Sequence, residues 1–163
     1  MQVKIRHFEQ SDIADLAEIY SYQSVTEYTS QVPFLNSDTV REFFQSATDY
    51  ILVAELDGKV VGHINLIMSN KPREKHAASL AIAVHPNSHG KGVGRKLLAE
   101  AINQADNWLN LLRIELEVYT DNEAGLSLYK KFDFKVEGQK QSCSYKNGRF
   151  VDLLILARLN MPI

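Results

Sequence analysis

The chain predicts an α/β domain of the α+β kind, with a central, twisted sheet of about seven strands that is mixed but mostly antiparallel and carries helices on both faces. Three observations predict it. Asp57-Gly58 and Asn147-Gly148 each join two β-rich runs, and such dipeptides are the strongest short-range hairpin signal. Between the hairpins, an apolar run over 79–84 breaks at Pro86, passes through Gly90, Gly92 and Gly94, and opens into a helical pattern. Finally, 163 residues that are 45% hydrophobic and 23% charged suffice for one sizeable core, and no linker, repeat or low-complexity segment divides 1–163.

The elements follow in order. Val3 and Ile5 alternate with Lys4 and Arg6, as in a strand. Ser11 or Asp12 caps a helix in which Ile13, Leu16, Ile19 and Tyr20 recur at helical spacing. Residues 24–33 lack a clean period, and this polar, aromatic connection reads as a binding loop. Asn36 or Ser37 then caps a second helix with Val40, Phe43 and Phe44 inside.

Residues 50–56 and 59–68 form the first hairpin, and a polar connection over 71–76 leads into the central strand. A helix over 93–108 packs Leu97, Leu98, Ala101, Ile102 and Ala105, while its other face is polar. Residues 113–119 alternate strictly, Asn122 caps a helix ending near Phe132, and 134–145 and 149–159 form the second hairpin. The order is therefore β-α-α-β-β-β-α-β-α-β-β.

Charge and composition exclude several classes. A net charge of −2 argues against nucleic acid as a partner. No apolar stretch approaches the roughly 18 residues of a membrane span, and the N-terminal MQVKIRHFEQ lacks a signal-peptide core, so no membrane partner and a cytoplasmic location are expected. Cys143, the single cysteine, cannot form an internal disulfide and reads as an ordinary strand residue. No metal is expected.

The strand-to-helix connection carries the chemistry. The first donors of a helix have no internal partner, and with the helix dipole they attract phosphate. Glycines let such a ligand approach the backbone. No acid lies between His85 and Ala99, whereas His89, Lys91, Arg95 and Lys96 supply positive charge. A P-loop would need Ser or Thr after its lysine, and a dinucleotide fingerprint would need glycine where Arg95 stands. A pyrophosphate held by the loop is the expectation.

His89-Gly90-Lys91-Gly92-Val93-Gly94 resembles the acetyl-CoA loop of the GNAT superfamily of N-acetyltransferases, Gln/Arg-x-x-Gly-x-Gly/Ala, with His89 at the Gln/Arg position. The stretch from Asn122 through Ala124, Leu128, Tyr129 and Phe132 to Phe134 is similar to the family's Asn-x-x-Ala-x-x-Leu-Tyr-x-x-x-Gly-Phe, with Asp133 in place of glycine. GNAT domains share the element order, so the resemblance spans nearly the whole chain. It implies acetyl-CoA as co-substrate, gripped at Ala83, Val84, His89, Gly90, Lys91, Gly92, Val93, Gly94, Arg95 and Asn122. A backbone N–H near Ala83 or Val84 would polarise the thioester carbonyl where the two central strands splay.

Acyl transfer to an amine needs a base, because a free α-amine has a pKa of about 8. Glu117 alternates on the same strand face as Glu115 and Tyr119 and is the candidate, acting directly or through water; a solvated carboxylate is the plainer reading of its position. By spacing alone Tyr129 reads as a core aromatic, whereas the resemblance implies the general acid. Glu27, Tyr28, Gln31 and Phe34 are candidate substrate-pocket residues, and His63 either joins them or is a satisfied, half-buried histidine.

Further tracts, Gln31-Val32-Pro33, Asp106 to Leu109 and Lys146 to Asp152, resemble the branch of small bacterial GNAT enzymes that acetylate free L-amino acids. A small-molecule amine is the implied acceptor. A protein N-terminus or lysine is the alternative acceptor, and a non-catalytic acyl-CoA-binding module the alternative of another class. The exposed edges of the C-terminal hairpin are where a homodimer would form.

Overall fold

The computed structural model describes residues 2–46 and 48–161; Met1, Ala47, Pro162 and Ile163 of the expected 1–163 domain lie outside the described residues. Strands β1 (Lys4–His7), β2 (Asp49–Leu56), β3 (Lys59–Met68), β4 (Ala77–Val84), β5 (Arg113–Tyr119), β6 (Lys135–Lys146) and β7 (Arg149–Leu159) form one sheet in the order β1-β2-β3-β4-β5-β7-β6. Every neighbouring pair is antiparallel except β4 and β5. Helices α1 (Ile13–Tyr20), α2 (Gln23–Thr26), α3 (Ser37–Glu42), α4 (Val93–Asn107) and α5 (Glu123–Lys131) complete the described elements.

Alternation along the strands divides the apolar side chains between two cores. Ile51 and Val53 of β2 meet Ile13, Leu16, Ile19, Val40 and Phe44 on the α1–α3 face, whereas Leu52, Ala54 and Leu56 meet Leu97, Leu98, Ala101 and Ala105 of α4 on the other. Tyr129 and Phe134 join the α4 side. Leu97 and Leu98 are fully buried, and each such side chain contributes about 2 kcal/mol of transfer free energy. The sheet is thus covered on both faces, as its sequence predicts.

Both hairpin turns have positive φ at both central residues, 53° and 79° at Asp57-Gly58 and 51° and 77° at Asn147-Gly148. That is the type I′ geometry whose twist matches a right-twisted hairpin.

The parallel contact between β4 and β5 is the feature on which the site depends. It pairs only Ala77–Ser79 with Arg113–Glu115. Beyond those three rungs the strands diverge, although β4 stays paired to β3 as far as Val84 and β5 to β7 as far as Tyr119. Each strand therefore keeps one edge that the neighbouring strand does not satisfy, and such groups require another partner.

Several local expectations change. Part of the expected loop winds into the one-turn α2. Asp12 does not cap α1 with its side chain; its carboxylate accepts from the Arg6 guanidinium at 2.8 and 2.9 Å and from Glu9 N–H at 2.8 Å. Asn36 does cap α3, accepting from Thr39 N–H at 2.8 Å. Phe134 precedes β6 and is buried in the core. Cys143 lies exposed in β6. No described helix is long and apolar enough to cross a membrane.

Candidate active site

Where β4 and β5 part, a cavity of about 1250 Å³ opens through the sheet. Its walls include Leu80 to Val84 of β4 and Leu116 to Tyr119 of β5, with the residue 88–94 loop at one end and Tyr28, Gln31 and Lys140 at the other.

The loop end is built from backbone. His85 begins a short turn over Pro86–Ser88, and the His89 ring donates from Nε2 to the Val84 carbonyl at 2.9 Å, tying the loop to the end of β4. Gly92 occupies the N-cap of α4 at φ 79°, a left-handed conformation that a side chain would strain. The first amide to find a partner within the helix is Lys96, which donates to Gly92 at 3.1 Å. Among the described residues, the amides of Gly90 through Arg95 donate to no protein acceptor. Gly90, Gly92, Val93 and Gly94 border the cavity, and the Cβ positions of Gly90 and Gly92 have no atom within 4 Å, so the loop faces open space. Row, dipole and open space together suit a diphosphate. Lys91 and Arg95 are exposed and do not border the cavity; they contribute backbone amides to the row.

Beside the loop stands α5. Asn122 accepts from Gly125 N–H at 3.0 Å, capping the helix, and also borders the cavity. Tyr129 is 7% exposed, packs its ring against Phe134 at 5.7 Å, and faces the cavity with a hydroxyl that makes no hydrogen bond to described protein atoms. Burial pushes its phenol up to about 12, so it remains a neutral donor at working pH.

The opposite end is built from side chains. His63, expected half-buried, is 1% exposed. Its Nδ1 donates to Asn65 Oδ1 at 2.8 Å, because that oxygen only accepts, and its Nε2 accepts from the Tyr20 hydroxyl at 2.7 Å. Burial pulls the imidazole down to about 4. With both nitrogens committed to protein partners, His63 is the satisfied histidine of the plainer expectation and also lines the cavity.

Glu117 borders the cavity in an ion pair with Lys140 of β6, and the two side chains are 46% and 47% exposed. Nearby, Arg113 makes two hydrogen bonds to Glu137, at 2.5 and 3.1 Å, and reaches Glu115 at 3.0 Å. That guanidinium holds the Glu137 carboxyl below the usual range.

Lys146 fastens the far wall. Its ammonium lies 4.6 Å from the Tyr28 ring centroid and 4.4 Å from that of Tyr119, and donates to the Glu27 carbonyl and Asp121, each at 3.2 Å. Tyr28 and Gln31 line the main cavity as expected. Glu27 instead lines a smaller neighbouring cavity of about 240 Å³, and Phe34, at φ 66° and 95% exposed, lines neither. Ala83 and Val84 lie on the cavity wall of β4.

Lys140, Arg113, Asn65 and Asp49 also border the cavity and were not expected. The Asn65 position could have been read from its alternation with His63 on β3. The others needed the cross-strand register.

The Acetyltransferase (GNAT) family profile matches residues 15–134. The chain is 35% identical over 97% of its length to the L-amino acid N-acetyltransferase AaaT of Escherichia coli (strain K12), covering 98% of that protein. A GNAT-family acetyltransferase structure from Streptococcus pneumoniae superposes with a TM-score of 0.83 at 30% identity, covering 97% of this chain and 99% of that one. The spermidine N-acetyltransferase of Vibrio cholerae, solved with CoA and spermine, gives 0.85 at 25% identity over 97% and 95% of the two chains. With a family match across most of the sheet and a cavity at the family's characteristic strand opening, the chain belongs to the GNAT family of acetyltransferases, enzymes that use acetyl-CoA.

Proposed function

We propose that this chain, a single domain over 1–163, transfers the acetyl group of acetyl-CoA to the α-amine of a free amino acid by direct attack, with both substrates bound together. The observation that carries this reading is the row of uncommitted amides from Gly90 to Arg95, opening on the same cavity that Tyr129 faces. The 35% identity to an L-amino acid N-acetyltransferase supports the acceptor class. Cys143 does not border the cavity, which supports direct attack over an enzyme-bound acyl group on sulfur.

Acetyl-CoA, as substrate, supplies an activated acetyl thioester. The amides of residues 90–95 hold its diphosphate, and the unpaired edge of β4 near Ala83 and Val84 offers backbone donors to the pantetheine arm and the thioester carbonyl. Asn122 flanks the same arm. Glu117 accepts a proton from the acceptor ammonium so that a lone pair can form the new N–C bond. As the C–S bond breaks, Tyr129 donates its proton to the departing sulfur, and solvent removes the nitrogen's surplus proton, takes the proton held by Glu117 and restores the phenol. Burial disfavours a thiolate as it does a phenolate, so donor and acceptor stay matched within the cavity.

The location in this reading is the cytoplasm. A homodimer would use the hairpin tip, where Tyr145 and Phe150 are 62% and 68% exposed with their rings 5.0 Å apart. A second reading is an acceptor with several amines, favoured by the carboxylates Asp49, Glu115, Glu117 and Glu137 at the cavity. A CoA-release screen against free amino acids, polyamines, aminoglycosides and peptides tests both readings. Turnover is expected with free amino acids; turnover confined to polyamines or peptides would replace the proposed acceptor.

A further inference from the structure

Resting on the amino-acid reading above, we propose that Lys140 anchors the acceptor's α-carboxylate: the carboxylate takes the Lys140 ammonium from Glu117, and Glu117, so released, receives the acceptor's α-ammonium.

A free amino acid is a zwitterion, and its recognition calls for one cation and one anion side by side. Glu117 and Lys140 supply that pair at the cavity wall. They come from different strands, with β7 between them: Glu117 pairs with Ile155, and Lys140 with Leu153, two residues away along the same strand. Ile155 and Leu153 border the cavity as well, so the pair stands over an apolar floor.

The other cations at this end are committed. Arg113 is 25% exposed and held by both Glu137 and Glu115. Lys146 is 11% exposed and fixed by two rings, a carbonyl and Asp121. Lys140 has a single carboxylate partner and is 47% exposed, so it can be reached at the smallest cost. An exposed pair of this kind is held weakly, and a bound zwitterion gives each partner a new ion pair in place of the one broken.

The exchange also gates the reaction. While paired, the Glu117 lone pairs are engaged by Nζ. An acceptor with a carboxylate draws Lys140 away and exposes the carboxylate that takes one proton from its own ammonium; an amine without a carboxylate leaves the pair closed. The bond changes remain those of the transfer itself, with N–C formed, C–S broken and Tyr129 protonating the sulfur.

The test compares a free amino acid with its carboxamide in steady-state kinetics for the wild-type protein, Lys140→Met and Lys140→Arg. In Lys140→Met, kcat/KM for the acid is expected to fall about thirtyfold, mainly through KM, while that for the amide rises, because Glu117 is permanently released. Lys140→Arg is expected to recover most of the preference, and acetyl-CoA affinity measured by calorimetry to stay within about twofold. A parallel fall for acid and amide, or no change in either, overturns the carboxylate anchor. Wild-type protein that acetylates other amines but no free amino acid overturns the amino-acid reading itself, and the anchor with it.

Discussion

The two ends of the cavity are made from different materials. At the coenzyme end, main-chain amides of one continuous loop do the binding, and local rules of glycine, helix terminus and dipole explain their placement. At the acceptor end, side chains from β3, β5, β6 and the α2–α3 connection converge, and their placement depends on the register of strands far apart in sequence. The coenzyme end should therefore fail through backbone changes, and the acceptor end through charge and contact changes that leave coenzyme binding intact.

The largest effect is expected at the loop. Gly92→Asp places a side chain at φ 79° and a negative charge before the amide row, and should weaken acetyl-CoA binding by about a thousandfold, or about 4 kcal/mol, in calorimetry. Normal binding by this variant would break the comparison at its first term.

Next comes the buried histidine of the acceptor end. The folded-state value of His63, about 4, lies below its ordinary 6.5, so the unfolded chain binds the extra proton first. Its contribution is intact above pH 6.5 and is lost as pH falls from there towards 4, to a total of about 3 kcal/mol. Urea midpoints across that window should fall for the wild-type protein and less steeply for His63→Gln.

Tyr129→Phe retains the ring packing on Phe134 but removes the donor. It should lower kcat about a hundredfold, or about 2.7 kcal/mol, with acetyl-CoA affinity unchanged. Unchanged turnover would remove the general-acid role. Lys146→Met releases the Tyr28 wall, and should raise the acceptor KM about tenfold without altering that for acetyl-CoA. A shift in both constants would show that the two ends are not separable.

The smallest effect sharpens the frame of the coenzyme end. Asp133 sits at φ 66° just past the end of α5, where the family motif carries glycine and where a negative charge opposes the dipole. Asp133→Gly should stabilise the fold by about 0.5–1 kcal/mol and raise the thermal midpoint by about 2 °C.

What could be read in advance follows the same division. Strand alternation, both hairpin turns and the loop into α4 are short-range patterns, and they stand where the sequence places them. The opening between β4 and β5 came from the family resemblance, since nothing in residues 77–84 or 113–119 alone says that pairing stops after three rungs. Lys140 depends on the register of the second hairpin. The β6–β7 ladder shifts between Val136 and Gly138 and again between Lys140 and Ser144, where Asp152 accepts from Ser142 N–H at 2.7 Å. Counting back from the turn without those bulges pairs Lys140 with Ile155 rather than Leu153, two residues along β7 but on the same face as Glu117. Phe34 shows the opposite failure: an aromatic in a polar loop suggests a pocket, but its left-handed backbone turns it outward to solvent.

The most direct measurement is a crystal structure of the protein with CoA. The diphosphate oxygens should lie about 3 Å from amide nitrogens between residues 90 and 95, with the sulfur in the cavity beside the Tyr129 hydroxyl. A coenzyme seated away from this loop, with those amides still uncommitted, would contradict the account.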